Sequence, residues 1–124
     1  MKISEIIAHP LSAPLERPCS TAHEFHDSDN RVLVEVRTDA GVSGYGEVQG
    51  GPQKLIYDLV RQFGKIVRGM DALAHLEVWE KLFSLTSPRP RGIGGQDGLP
   101  PPLPRGQRPQ ITAAIGGIDI ALWD

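Results

Sequence analysis

RVLVEVRTDAGVSGYGEV, residues Arg31 to Val48, is the stretch that decides the fold. Its first half alternates, with Val32, Val34 and Val36 on one face and Leu33, Glu35 and Arg37 on the other. That alternation, rich in β-branched residues, predicts a half-buried strand. Asp39-Ala40-Gly41 follows, and Gly41 can take the positive φ of a tight hairpin turn. Val42 to Val48 is the return strand. Gly44 and Gly46 weaken it, which implies a bulge or the close approach of another backbone.

Toward the N-terminus, Ile3, Ile6, Ile7 and Leu11 predict a further short strand over Lys2 to Leu11. Pro10, Pro14 and Pro18 interrupt ladder pairing, so the chain is expected to leave the sheet there. CSTAHEFHDSDN, Cys19 to Asn30, is polar and without sustained period, and reads as a loop. Toward the C-terminus, Gly50-Gly51-Pro52 ends the sheet. Leu55, Ile56, Leu59, Val60, Phe63, Ile66 and Val67 then recur at helical spacing, with Gly69 as the stop. Asp71 is the expected N-cap of a second helix carrying Leu73, Leu76, Trp79, Leu82 and Phe83. Ser87 to Gln110 holds seven prolines and five glycines, a composition that builds no packed element, so a long loop is expected. A third helix starts near Ile111, with Ile115, Ile118, Ala121 and Leu122 on one face. Its Gly116-Gly117 pair calls for tight packing against a neighbour. Strands first and helices second give an α+β fold, a three-stranded antiparallel meander followed by about three helices.

A chain of 124 residues makes one domain. The net charge of −2 offers no electrostatic footprint for nucleic acid or a membrane surface. One cysteine, Cys19, excludes an internal disulfide, and no long apolar run marks a signal or a span. A cytoplasmic location is expected.

The densest polar cluster is Cys19, His23, Glu24, His26, Asp27 and Asp29. Cys19, His23 and His26 could be three metal ligands, but the spacing matches no standard zinc module, and a solvated loop is the stronger reading. GVSGYG and GIGGQDG lack the spacing and the strand–helix setting of a phosphate cradle. PPLP, Pro101 to Pro104, suits a polyproline II segment, and Arg89, Arg91, Arg105 and Arg108 make its loop basic. Glu47, if buried, needs partners. No carboxylate pair or acid–base couple stands out.

Three motifs go further. The hairpin resembles a V-x-V-x-T-x-x-G-x-x-G-x-G-E stretch at Val34, Val36, Thr38, Gly41, Gly44, Gly46 and Glu47. MDALAHLEVWEKLF resembles a second helix with a Trp-Glu pair, here Trp79-Glu80, and AIGGIDIALWD closes the chain. Together they resemble the N-terminal capping domain of the enolase superfamily, in its mandelate racemase/muconate lactonizing enzyme branch. The resemblance covers residues 1–124, except that the 87–110 loop is longer and richer in proline than the family pattern.

The resemblance implies a division of labour. A following (β/α)-barrel supplies three acidic Mg²⁺ ligands and the bases that take the proton next to a substrate carboxylate. Mg²⁺ then stabilises the enediolate. The capping domain closes the barrel mouth and meets the variable end of the substrate. By that resemblance residues 18–30 are a lid loop, with Thr21, His23, Phe25 and His26 as substrate-facing residues, and Gln49 to Pro52 a second approach. The barrel is expected to be absent from this chain, which then holds no catalytic residue, binds no metal and is inactive alone. The full-length enzyme is expected to be a Mg²⁺-dependent lyase or isomerase and a homo-oligomer acting on a small carboxylate. Acid-sugar dehydration ranks ahead of racemisation and cycloisomerisation. The alternative is a non-catalytic interaction module that docks through the Pro-rich loop or the last helix.

Overall fold

The computed structural model describes residues 1–86, 103 and 105–124. The elements are β1 (Ile3–Ser20), β2 (Phe25–Thr38), β3 (Ser43–Gln49), α1 (Gln53–Val67), α2 (His75–Phe83) and α3 (Arg108–Trp123). Short 3₁₀ turns lie at Ser84–Thr86 and Arg105–Gln107. The strands form one antiparallel sheet in the order β1-β2-β3, the expected meander.

One sheet face is the core face. Val32, Val34 and Val36 are buried there with Ile3, Ile6, Ala8 and Val48, against Ile56, Leu59, Val60, Phe63 and Val67 of α1. Burying such side chains contributes roughly 1.5–3 kcal/mol each. The α1 face is the one the periodicity predicts, save that Ile66 lies on its flank, exposed. From α3, Ile115, Ile118 and Ala121 are buried as expected, and Leu122 is half-buried.

The glycines of β3 are explained by α3. A Cβ on Gly46 would sit 2.0 Å from the Gly117 carbonyl oxygen, and one on Gly44 would sit 2.1 Å from that of Ala121. A Cβ on Gly117 would meet Val48 Cγ2 at 2.3 Å, whereas one on Gly116 meets nothing within 4 Å. Strand and helix therefore touch backbone to backbone, and only one residue of the glycine pair is needed for it.

Four expectations are corrected. The Cys19–Asn30 loop is a hairpin: β1 runs on to Ser20 and β2 begins at Phe25. Prolines permit this because β1 is an edge strand, where a missing N–H need not break a second ladder. Asp71 does not cap α2, whose N-cap is Ala74. Its carboxylate accepts the Leu73 N–H in a local turn, which leaves Leu73 and Leu76 exposed while Val78 and Leu82 are buried. Finally, α3 begins at Arg108, with Pro109 in its first turn, so the end of the expected 87–110 loop is helical. Arg89, Arg91 and, apart from Leu103, the Pro101 to Pro104 segment lie outside the described residues.

Beyond β3 the Tyr45 N–H donates to an Asp124 carboxylate oxygen at 3.0 Å, fixing the end of α3 to the free edge of the sheet.

Candidate functional site

The three-stranded sheet narrows at Arg31, which pairs with Leu11 on one side and with Gln49, the last residue of β3, on the other. Past that rung β1 and β2 continue alone as a two-stranded arm. Ser12, Ala13 and Pro14 pair with Asn30, Asp29 and Ser28. The register then shifts, so that Leu15 to Pro18 face the single Asp27, and pairing resumes at Cys19↔His26 and Ser20↔Phe25. The tip is closed by Thr21, whose N–H donates to the Glu24 carbonyl at 2.7 Å and whose hydroxyl accepts the Glu24 N–H at 3.1 Å.

The chain leaves β3 through Gly50 and Gly51, at φ of 94° and 73°. Two successive positive φ values reverse it directly into Pro52 and α1. Arm and turn face each other across a cleft of about 680 Å³. Glu24, His26, Ser28 and Asn30 line the arm side, and Gln49 to Pro52 line the other. These side chains carry hydroxyl, amide, carboxylate and imidazole groups, suited to donating and accepting hydrogen bonds with a polar ligand.

No free cation faces the cleft from its described lining. His26 Nε2 lies 3.0 Å from Glu24 Oε2. Asp29, also in the lining, is paired with Arg31 at 3.0 Å, and Arg31 also bonds Glu47. Hydrogen bonds to Asp29 and then Glu47 push the guanidinium pKa of Arg31 above its ordinary value. Glu47 is thus an exposed partner of Arg31. Among the described residues the buried acid is Glu35, on the outer sheet face, with His9 Nε2 at 2.9 Å and Arg37 Nε donating at 2.6 Å. Arg37 first, and His9 second, hold its carboxyl below the usual carboxylate range.

Of the four residues expected at the lid, His26 lines the cleft; Thr21 braces the turn, and the ring of Phe25 is 70% exposed. His23 is exposed at the tip and outside the cleft lining. Sequence reasoning missed Glu24, Ser28 and Asn30 as a set. The signal for part of it was alternation, since His26, Ser28 and Asn30 share one face of β2, whereas Glu24 sits in the turn before that strand. Among the described residues no three His, Cys, Asp or Glu side chains could together hold a metal ion. Cys19, His23 and His26 are therefore not brought together as a ligand set. None of the described helices is long and apolar enough to cross a membrane.

A second surface lies where α2 meets α3. The His75 and Trp123 rings are 4.4 Å apart, and His75 Nδ1 is 3.6 Å from Asp119. On these elements Leu76 of α2 and Ile120 and Trp123 of α3 are exposed, as is Leu73 just before α2.

Comparison with known proteins agrees with this architecture. The chain is 30% identical over its whole length to a D-galactarolactone cycloisomerase of Agrobacterium fabrum, of which it spans 28%. It is 26% identical, over 82% of its length, to a D-galactonate dehydratase of Variovorax paradoxus, of which it spans 22%. Thus the chain spans about a quarter of the length of these curated relatives. Among solved structures, an enolase-superfamily member from Polaromonas sp. JS666 superposes with a TM-score of 0.73 at 28% identity, over 99% of this chain and 29% of that one. The family described as "Mandelate racemase / muconate lactonizing enzyme, N-terminal domain" matches residues 3–124, and the chain belongs to it.

Proposed function

We propose that this chain is the capping and substrate-specificity domain of a Mg²⁺-dependent enzyme that abstracts the proton next to a substrate carboxylate, and that the reaction is the dehydration of an acid sugar. The metal, the bases and the chemistry belong in this reading to a barrel domain, and the full enzyme is a cytoplasmic homo-oligomer. The capping chain excludes water and recognises the far end of the substrate, so it is inactive alone. Residues 18–30 act as the lid, in the form of an arm.

The observation that carries the reading is the polar cleft between arm and turn. Alternate residues Glu24, His26, Ser28 and Asn30 face the Gln49–Pro52 turn with groups that suit the hydroxyls of a polyol. The curated relatives, named for a D-galactarolactone and a D-galactonate reaction, support an acid-sugar substrate. The exposure of Leu73, Leu76, Ile120 and Trp123 supports a protein contact beside α3. That exposure equally favours the second reading, a non-catalytic module docking through its last helix.

The test is a graft. Residues 1–124 replace the capping domain of the Variovorax dehydratase, and D-galactonate turnover is measured with Mg²⁺ present. The graft should be active, and His26→Ala with Asn30→Ala should raise KM roughly tenfold while kcat stays within about twofold, as for lost ground-state contacts. Equal KM with and without the two substitutions removes the specificity role. An inactive graft whose Trp123 remains as exposed as in the isolated chain favours the interaction module.

A further inference from the structure

Gln53 is outside the cleft lining, yet it ties the two walls together. Its side-chain Nε2 donates to the Leu11 carbonyl at 2.7 Å and to the Arg31 carbonyl at 2.8 Å. Leu11 and Arg31 are partners across the β1–β2 ladder, and Arg31 is also the partner of Gln49. One amide therefore spans the rung from which the arm departs. Both N–H bonds of that nitrogen are used, one for each strand.

The opposite wall of the cleft begins one residue earlier. Pro52, Gly51 and Gly50 run directly from Gln53 back to the end of β3. Gln53 is itself held, as the first residue of an α1 packed on the core. The arm, by contrast, has no core of its own. From Pro10 to Ser20 only Leu15 is even half-buried, and on β2 the residues from Phe25 to His26 and Asp27 are exposed. Two-stranded ribbons are marginal by themselves, and this one lacks the N–H groups of Pro14 and Pro18 and carries a register shift. Along its length a side-chain tie reaches the body, from Asp29 through Arg31 to Glu47 of β3. The Gln53 tie is at its base.

We propose that Gln53 is a positioning residue that sets the width of the cleft: its amide couples the base of the arm to the Gln49–Pro52 turn, so that both walls hold one spacing. The inference rests on the lid reading for its purpose and not for its test. Amide exchange reads the clamp, whereas the graft reads substrate recognition, so each can fail without the other.

The experiment is hydrogen–deuterium exchange on the 124-residue chain, wild type against Gln53→Met and Gln53→Glu. Methionine keeps the length of the side chain and has no donor. Glutamate places a carboxylate against two carbonyl oxygens. Amides between Ser12 and Asn30 should exchange roughly tenfold faster in Gln53→Met, and faster still in Gln53→Glu, as two hydrogen bonds at the base are lost. Amides of Val32 to Val36 and of Ile115 to Ala121 should keep their rates, and the urea midpoint should barely move. Unchanged exchange in the arm overturns the proposal. So does an equal rise throughout the body, or a loss of folding in both variants, since either makes Gln53 a general structural residue. If only Gln53→Glu fails to fold, Gln53→Met decides.

Discussion

Replacing Gly117 by alanine should destabilise the chain by about 1–3 kcal/mol, the usual penalty for an over-packed contact. The added methyl would fall 2.3 Å from Val48 Cγ2, on a branched side chain that has no free end to swing away. Gly116→Ala should be neutral or stabilise by about 0.5–1 kcal/mol, because a helical glycine is exchanged for alanine in open space. Urea midpoints of the two variants test the contrast. Glu35 gives a second test at this scale. Its carboxyl pKa is lowered in the fold, so its stabilising contribution is complete above the ordinary carboxylate range and fades as pH falls through the lowered value. Glu35→Gln should therefore flatten the acid limb of the stability–pH curve, seen as a difference from wild type that shrinks on acidification. The Gly116-Gly117 signal was legible in the sequence, though not which of the two mattered. Glu35 was not legible. Alternation puts it on the outward face of β2, where His9, brought in from β1, and Arg37, two residues on along the same strand, bond its carboxylate.

At the scale of elements the hairpin, α1 and the face of α3 were readable because each buries a periodic stripe. The arm was not readable, because it buries no stripe. Its order comes from ladder pairing and from its base, and a proline-rich polar run gives no sign of either. The same fact predicts tolerance. Replacing residues 13–29 by a two-residue Asn-Gly turn between the paired Ser12 and Asn30 should leave the body folded. The expected change is a few degrees or less in Tm, since no buried core residue is removed, whereas a fall of roughly 10 °C or more would show that the arm supports the core. The α2 boundary was misplaced for a different reason: Asp71 is a good cap by type, but its carboxylate is engaged by the Leu73 N–H and lies 3.7 Å from the N-terminal amine.

For the whole molecule, the exposed Leu73, Leu76, Ile120 and Trp123 predict concentration-dependent association of the isolated chain. Light scattering should show it, and Leu76→Asp with Ile120→Asp should abolish it. A monodisperse monomer for the unmodified chain would remove the docking role of this surface. The route of that association is constrained by the borders of the sheet. Pro10, Pro14 and Pro18 strip donors from β1 on one border, and the Asp124 carboxylate occupies the Tyr45 amide on the other. Neither border is a clean template for a foreign strand. Whatever aggregates this chain forms should thus be side-chain mediated and dye-negative, without the cross-β order of a fibril, and seeding them should not shorten a lag.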